Sequence, residues 1–316
     1  MTPHTTTLDL PHPAAAWPSG AQRTRVRPSV VRDVLRVATV NTHRGGGPTV
    51  PYLLQDADAA AAERVRLLHA TRAYAFHIAE WLRARADRYH VVGLQEVFHG
   101  VLGLALPGRA RQRDYYRALA GYDTALAHRV GFAAFRYENV LLSRLPEADV
   151  SRIEAHLPCP VFYLAACGFT LAPLRFGERV VWVGNTHLHA YNPRARARQA
   201  AAIAREVRRL GDVPVVLLGD LNTVPPGCKD GDFPHGDRDV RSYRGDRTLR
   251  VLGRAGLRTV THTDERRFWT YPVGAPNRTL DYVLASRHFE IETYRVIDDF
   301  GLSDHYPVEA ELRLVD

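Results

Sequence analysis

Short apolar runs that end in polar side chains are the feature that most constrains how this chain can fold. Runs of about four to eight apolar residues are typical of buried strands, and alternate residues of a strand face the same side. Several such runs predict a buried sheet whose strand ends deliver polar side chains to one edge. The runs are VVGLQE, VVWVGNTH, VPVVLLGDLN, TLDYVLAS and SDHYPVEAEL.

The polar side chains at these strand ends are carboxylates, carboxamides and imidazoles. Strand alternation places Asn185 and His187 on one side of their strand, and it does the same for Asp220 and Asn222 if that strand extends far enough. A hard cation prefers oxygen ligands, and His and Asp side chains can transfer protons. The set therefore predicts metal-assisted hydrolysis of a phosphoester. It comprises Glu96, Asn185, His187, Asp220, Asn222, Asp281, Asp304 and His305.

In this order, the segments resemble the endonuclease/exonuclease/phosphatase superfamily, which includes deoxyribonucleases, neutral sphingomyelinases and inositol polyphosphate phosphatases. The resemblance implies an α/β fold, a four-layer α-β-β-α sandwich with two facing mixed β-sheets, outer helices and the site at one rim. The segments are VATVNTH (37–43), VVGLQEVF (91–98), ENVLLSRLP (138–146), VVWVGNTHLHA (180–190), VVLLGDLNT (215–223), RTLDYVLAS (278–286) and LSDHYPVEAEL (302–312).

The resemblance also implies a metal site. Glu96 is the principal ligand, with Asn41 beside it and Asp304 close to the metal. Mg²⁺ keeps several waters and needs only one or two carboxylates, so this set suits Mg²⁺, and Mn²⁺ is a second option. Zinc is disfavoured because no C-x-x-C or H-x₃-H pairing surrounds the cysteines. The 3 cysteines are Cys159, Cys167 and Cys228.

The catalytic roles are likewise implied by the resemblance. Asp220 orients or deprotonates the attacking water, and Asn222 steadies the phosphoryl group. His305 contacts the phosphate and is held in its tautomer by Asp281. His187 is a candidate for protonating the leaving group, as in the deoxyribonuclease and sphingomyelinase branches.

Four residues are predicted to bind substrate. Asn185, Arg194, Trp269 and Arg278 form this predicted set, although Trp269 could equally pack in the core. The turn HRGGGP (43–48) could bring backbone donors to a phosphate, or it could be a plain loop. The polar segment 224–248 is too long for a mere connection and could act as a lid or recognition loop.

Two helices are predicted from apolar periodicity. One lies within 192–212, where Asn192 is the cap, Pro193 occupies the first turn and Gly211 ends the helix. Its arginines are expected on the outer face, with Arg194 near the catalytic edge. Its apolar stripe is Ala200, Ile203, Val207 and Leu210. The other lies within 51–87, with Leu68, Ala75, Ile78 and Leu82 on one face.

Length and composition predict one large catalytic domain. A chain of 316 residues with 46% hydrophobic content can bury a large core, and no internal linker divides it. We expect residues 1–33 to be a flexible leader and 34–316 to be the catalytic domain. The leader lacks the apolar core of a signal peptide, so a cytoplasmic enzyme is expected, although another export route stays open. We also expect the enzyme to be a monomer. No apolar stretch reaches membrane-spanning length.

The charge balance concerns the partner. The formal net charge of +8 favours polyanions such as nucleic acid or phospholipid headgroups, although an Arg-rich composition alone would also produce it. The leading prediction is Mg²⁺-dependent hydrolysis of a phosphodiester in nucleic acid, phospholipid or a small diester, by direct attack of water. The alternatives are a phosphomonoesterase acting on a small phosphorylated metabolite and a non-catalytic binding protein on the same fold.

Overall fold

The apolar runs all fold as strands, and the strands form two sheets. The computed structural model describes residues 33–47, 74–100, 112–130, 136–158, 167–226, 243, 245–260 and 265–315. The strands are β1 Val34–Asn41, β2 Val91–Gly100, β3 Thr124–Val130, β4 Arg136–Ser143, β5 Ile153–His156, β6 Gly168–Phe176, β7 Arg179–His187, β8 Val215–Asp220, β9 Asp281–Ala285, β10 Phe289–Val296 and β11 Val308–Leu314. The helices are α1 Tyr74–Ala84, α2 Gln112–Ala120, α3 Pro193–Arg209 and α4 Thr248–Gly253, with 3-10 turns at His43–Gly45 and Arg266–Phe268.

Both sheets are mixed. The first sheet has the strand order β10-β11-β1-β2-β4-β3, and the second has the order β5-β6-β7-β8-β9. Within them β1 and β2 are parallel, as are β7 and β8, whereas the other neighbouring strands run antiparallel. Parallel neighbours need a crossover connection, and the described parts of these two connections contain α1 and α3.

Three apolar clusters separate four layers. On the outside of the first sheet, Ile78 of α1 packs in one cluster with Leu142 of β4. On the outside of the second sheet, Ile203 of α3 packs with Leu217 of β8. The predicted four-layer sandwich with two facing mixed sheets is therefore confirmed. The third cluster fills the space between the sheets and includes Val37, Leu141, Val183, Leu218 and Val283.

Helix α3 begins as its sequence predicts. The side chain of Asn192 accepts hydrogen bonds from the backbone nitrogens of Arg194 and Ala195, at 3.0 and 3.1 Å. These bonds satisfy donors that the first turn of a helix leaves free, and Pro193 has no such donor to satisfy. The predicted stripe faces the second sheet, with Ala200, Ile203 and Val207 buried.

Arg196 departs from the expectation that the arginines of this helix lie on its outer face. Its side chain is fully buried, and its Nε lies 2.7 Å from Asp246 Oδ2. Nη1 also donates to the carbonyl oxygens of His189 and Ala190, at 2.9 and 2.8 Å. A buried charge is tolerated when it is paired and hydrogen-bonded, so Arg196 fixes the segment that follows β7.

Several predictions fall partly outside the described residues. Helix α1 buries Ala75, Ile78 and Leu82 as predicted, whereas Leu68 lies outside the described part of the chain. The leader 1–33 lies outside it apart from Asp33, as do residues 227–242 and 244 of the polar segment. Cys167 is buried, and the other two cysteines are outside the described ranges. Within those ranges, no helix combines the length and apolar content needed to span a membrane.

Strands β7 and β8 approach each other too closely for a side chain at Gly219. A Cβ atom there would lie 2.1 Å from the carbonyl oxygen of Thr186 in the neighbouring strand. The obstacle is backbone, so it cannot move without disturbing the parallel pair. Gly219 also precedes Asp220, and the pairing that it permits sets the height of that residue relative to His187.

We expect Gly219→Ala to lower the free energy of unfolding by about 2 to 4 kcal/mol because of this clash. The matched control is Gly253→Ala, since Gly253 lies at the end of α4 and a Cβ there would meet nothing within 4 Å. Urea unfolding followed by circular dichroism measures both variants. Equal stability of the two alanine variants would contradict the tight spacing of β7 and β8.

Candidate active site

Three of the predicted residues stand side by side on the second sheet. In the strand register, His187 of β7 pairs with Asp220 of β8, and Asp220 pairs with Asp281 of β9. Register partners on neighbouring strands point to the same side of a sheet. These three residues therefore form a row at one rim, directly above the apolar interior between the sheets.

The first sheet meets this row through Asn41, the last residue of β1. Its Nδ2 donates to Asp220 Oδ2 over 3.0 Å, and both side chains are buried. The other oxygen of Asp220 accepts from the backbone nitrogen of Asn222 at 2.8 Å. Two hydrogen bonds thus fix the orientation of the Asp220 carboxylate.

Asn222 reaches the row by a turn and not by strand alternation. Strand β8 ends at Asp220, and Asn222 has a φ of 49°. Its Nδ2 lies 3.0 Å from His187 Nε2 and donates to the carbonyl oxygen of Leu188 at 3.1 Å. The strand does not extend to Asn222, so the left-handed backbone and not strand alternation brings the amide beside His187.

His305 and Asp281 form a buried pair. His305 Nδ1 lies 2.8 Å from Asp281 Oδ2, and His305 Nε2 lies 3.8 Å from Asp220 Oδ2. Burial lowers the pKa of His305, but the carboxylates of Asp281 and Asp220 raise it by more, so its pKa lies well above the ordinary value. An imidazolium that offers Nε2–H toward the row is the consequence. The ring of Tyr271 packs against His305 at a centroid distance of 4.8 Å.

Glu96 faces this row from the first sheet. It lies where the β2–β4 register shifts, between Leu94 and Val97. Its carboxylate is 3.0 Å from Arg44 Nε. Burial raises the pKa of Glu96, but His187, Arg44 and His43 lower it by more, so its pKa lies below the ordinary value. Glu96 is therefore a carboxylate anion amid positive or ionisable groups.

His43 connects the remaining predicted metal ligands. Its backbone nitrogen donates to Asn41 Oδ1 at 2.9 Å, and its Nδ1 lies 3.6 Å from Asp304 Oδ1. Arg44 interacts electrostatically with both acidic groups. Glu96 and Asp304 each raise the pKa of its guanidinium. The structure thus brings Asn41, Glu96 and Asp304 around the turn that begins at His43.

This site holds all the described non-glycine residues with positive φ. They are His43, Arg44, Glu96 and Asn222, with φ of 43°, 60°, 53° and 49°. Such conformations cost of order 1 kcal/mol or more each, and they cluster where function demands a particular geometry. The strained backbone positions therefore belong to residues whose side chains are charged or hydrogen-bond to the row.

Two of these residues were not predicted as functional side chains. The glycines of HRGGGP (43–48) predict a turn whose backbone could approach a phosphate. In the structure, the side chains of His43 and Arg44 contact the predicted metal ligands Asp304 and Glu96. The signal that could have found them is a pair of cationic residues directly after the strand that ends at Asn41.

A family comparison decides the class of protein. The model of the endonuclease/exonuclease/phosphatase family matches residues 66–305, which is most of the chain. The chain belongs to the endonuclease/exonuclease/phosphatase family. The matched range contains every predicted site residue except Asn41, which lies on β1 upstream of it.

Solved structures of this family share the fold. An endonuclease/exonuclease/phosphatase from Beutenbergia cavernae has a TM-score of 0.60 at 22% identity, over 90% of this chain and 72% of its own. A mannosyl-6-phosphatase from Bacteroides thetaiotaomicron has a TM-score of 0.57 at 17% identity, over 88% and 99%. ANGEL2, a 2′,3′-cyclic phosphatase, has a TM-score of 0.60 at 16% identity, over 90% and 97%. A comparison with curated protein sequences found no match.

Two groups of side chains in this family member could hold a metal ion. Ligand atoms of Asp220, Asp281 and His305 lie within 4.8 Å of one another. However, His305 Nδ1 is already bonded to Asp281, and both oxygens of Asp220 accept hydrogen bonds. The oxygens of Glu96, Asp304 and Asn41 offer the chemistry that a hard cation prefers, and Glu96 is anionic. The assignment of a metal ion to Glu96, Asp304 and Asn41 stays a prediction.

The predicted substrate-binding residues are dispersed. Arg194 is exposed at the start of α3, and Trp269 is half-buried. Arg278 is buried, with its guanidinium 5.7 Å from the ring centre of Tyr271, which in turn packs on His305. Their roles toward a substrate stay predictions, with Arg278 one aromatic ring away from the row.

The burial and contacts of Asn185 differ from the prediction that this residue binds substrate. Its side chain is fully buried, and its Oδ1 accepts from Gln95 Nε2 at 2.6 Å. Its Nδ2 donates to the carbonyl oxygens of Leu94 and Val140, at 2.9 and 2.8 Å. Protein groups thus use the amide on both sides. Strand alternation does put Asn185 on the same face of β7 as His187. Asn185 lies deeper between the sheets, where its hydrogen bonds join β7 to β2 and β4.

We expect Asn185→Ala to lower the free energy of unfolding by about 2 to 4 kcal/mol, because two buried carbonyls and one amide lose their partner. The Michaelis constant should stay unchanged at temperatures where the variant is folded. Chemical unfolding and steady-state kinetics on the same preparation measure the two effects. A raised Michaelis constant at unaltered stability would restore the substrate-binding role.

Proposed function

We propose that this protein is a divalent-metal-dependent phosphodiesterase that works by direct attack of water. The observation that carries the proposal is the position of Asp220, whose Oδ2 lies 3.5 Å from His187 Nε2 and 3.8 Å from His305 Nε2. A fixed carboxylate between two imidazoles suits activation of a water on one side of a phosphoryl group and protonation on the other. Membership of the family supports a phosphoesterase, and the cationic groups of Arg44 and His305 beside the carboxylates support an anionic substrate.

Each residue has a role in the proposed reaction. Asp220 orients the attacking water and accepts its proton. His305, held by Asp281, donates from Nε2 to a phosphoryl oxygen and spreads the charge that develops there. Asn222 adds an amide donor beside it, and His187 protonates the leaving oxygen.

We assign Mg²⁺, with Mn²⁺ as an alternative, to Glu96, Asp304 and Asn41. When bound, such an ion supplies charge that stabilises the phosphoryl and leaving oxygens. Arg44 contributes a guanidinium at the same carboxylate, 3.0 Å from Glu96, and guanidinium groups match phosphate geometry. The oxygen-rich donor set and the anionic state of Glu96 support this assignment.

The substrate is proposed to be nucleic acid, a phospholipid headgroup or a small diester. The formal net charge of +8 supports a polyanionic partner. A phosphomonoesterase acting on a small phosphorylated metabolite is the second candidate, because a solved structure with this fold is a mannosyl-6-phosphatase. A non-catalytic binding protein is disfavoured because the row contains a complete set of acid–base groups.

A hydrolysis panel tests the proposal. It contains plasmid, single-stranded DNA, RNA, sphingomyelin vesicles, a bis-aryl phosphodiester, a sugar monophosphate and phosphorylated inositols, each with Mg²⁺, Mn²⁺ or chelator. Metal-dependent turnover of a diester is the expected result. Faster turnover of the monoesters would favour the second candidate, and no turnover with any metal would favour a binding protein.

Replacing Glu96 tests the metal site. Glu96→Gln removes the charge but keeps an oxygen, so the metal concentration for half-maximal rate should rise and kcat/KM should fall at least about tenfold, or ~1.4 kcal/mol. High Mg²⁺ should restore part of the rate. The matched control is Glu80→Gln on α1, whose carboxylate pairs with Arg83 at 3.4 Å on the surface. Unaltered metal dependence in Glu96→Gln would move the principal ligand elsewhere.

Replacing the two histidines separates their roles. His305→Ala should slow every substrate by about a hundred- to ten-thousand-fold, because it acts on the phosphoryl group itself. His187→Ala should slow an alkyl diester strongly and an activated aryl diester weakly, because a phenolate leaves without a proton. Both rates are measured for each variant, with the half-buried His77 on α1 replaced by alanine as the control. Equal damage on both diesters would assign His187 to phosphate binding.

A further inference from the structure

A pair of histidines lies between the sheets, outside the contacts described so far. His128 is on β3 of the first sheet, and His156 is on β5 of the second. His128 Nε2 lies 3.3 Å from His156 Nδ1, and the ring centroids are 4.6 Å apart. Each histidine belongs to the outermost strand on this side of its sheet, so the pair spans the gap between two edge strands.

The pair extends the row that carries the candidate active site. His156 pairs in register with Gly168 of β6, and Gly168 pairs with His187 of β7. Neighbouring strands are about 4.8 Å apart, so His156 lies about 10 Å along the sheet from His187. On the first sheet, His128 pairs with Asn139, whose Nδ2 donates to the Gly168 carbonyl oxygen at 3.0 Å. The pair is therefore at the level of the row but separate from it.

The distance between the two ring nitrogens suits two ligands of one metal ion. Zinc–imidazole bonds are about 2.0 to 2.1 Å, so two ligands at a tetrahedral angle lie about 3.4 Å apart. The observed separation of His128 Nε2 and His156 Nδ1 is 3.3 Å. Without an ion, the same separation corresponds to a hydrogen bond between the two imidazoles, so an ion would replace that bond without changing the distance between the nitrogens by more than about 0.1 Å.

A carboxylate lies behind one of the imidazoles. His128 Nδ1 is 3.6 Å from Glu154 Oε2, and Glu154 precedes His156 by two residues on the same face of β5. Metal-ligating histidines commonly direct their other ring nitrogen to a carboxylate, which fixes the tautomer.

The same neighbours disfavour other ligands. Glu154 directs Oε2 to His128 and pairs through Oε1 with Arg152 Nε at 2.5 Å, so a phosphate beside the imidazoles would face the Oε2 side of this carboxylate. A magnesium-class ion prefers oxygen ligands, whereas imidazole suits zinc, copper and nickel. The chemistry of the pair thus selects a divalent transition metal.

We propose that His128 Nε2 and His156 Nδ1 bind a divalent transition-metal ion of the zinc class, which ties β3 to β5 across the sandwich. Glu154 orients His128, and solvent oxygens complete the coordination. Strand β5 has only four residues, so its anchorage by backbone pairing to β6 is short. An ion here would secure the outer edge of the second sheet. The proposal does not depend on the proposed catalytic function.

Zinc binding to the full chain tests the proposal. Equilibrium dialysis with Zn²⁺ is carried out in excess Mg²⁺ on the parent, His128→Gln, His156→Gln and the control His77→Gln. We expect each of the first two variants to lose one zinc equivalent relative to the parent, and His77→Gln to lose none. Comparison with the parent cancels zinc that binds elsewhere, including at the candidate active site.

Two further measurements address geometry and role. Glu154→Gln should weaken zinc binding by about ten- to a hundred-fold, because it loses the carboxylate behind His128. Zn²⁺ should raise the thermal unfolding midpoint of the parent and His77→Gln by more than it does that of His156→Gln. His156 is exposed, so its variant should fold, and hydrolysis in Mg²⁺ should persist. Equal zinc uptake by all four proteins, or loss in only one of the two histidine variants, would overturn the shared site. Uptake without any difference in the thermal shift would overturn the tie between the sheets.

Discussion

A single buried amide sets the relation between the two sheets on which the candidate site depends. Asn185 of β7 bonds to Gln95 and to the backbone of β2 and β4 in the opposite sheet. Apolar side chains can slide past each other at little cost, but a buried amide with three partners has one satisfactory position. Gly93 accommodates it, because a Cβ there would lie 2.9 Å from Asn185 Oδ1. With the sheets fixed in this way, Asn41 of one meets Asp220 of the other.

The site combines this rigid support with local backbone strain. Glu96 adopts a positive φ at the register shift within β2, and Asn222 does so just after β8 ends. His43 and Arg44 do so in the turn that follows β1. The strands below are buried in the apolar cluster between the sheets, so they can hold conformations that an isolated chain would not keep. The surroundings of the site also keep one buried acidic side chain charged. The carboxylate of Glu96 stays ionised because cationic neighbours outweigh its burial.

Strand-end chemistry was predictable because it depends on local pattern. Apolar runs of the right length predicted the strands, and the terminal residues of β7, β8 and β9 lie in one row at the rim as expected. The family resemblance supplied the facing sheets, which periodicity alone does not give. Contacts between the two sheets could not be predicted from the sequence. Burial of Asn185 and Arg196 depends on partners 90 and 50 residues away, and alternation reports a side but not a depth. His128 and His156 are 28 residues apart without a recognisable metal-binding spacing, so only the facing of two edge strands brings them together.

The first sheet ends on its far side at β10, whose outer positions carry charge. Glu290, Glu292 and Arg295 are exposed there, and Arg313 of β11 pairs with Glu292 at 2.8 Å. An open strand edge offers unpaired amide and carbonyl groups to any extended chain that approaches. A visiting strand at β10 would have to strip water from these charges before its backbone could pair. These charges therefore oppose extension of the sheet at this border and disfavour the seeding of fibrils from it when molecules meet in a crowded cell.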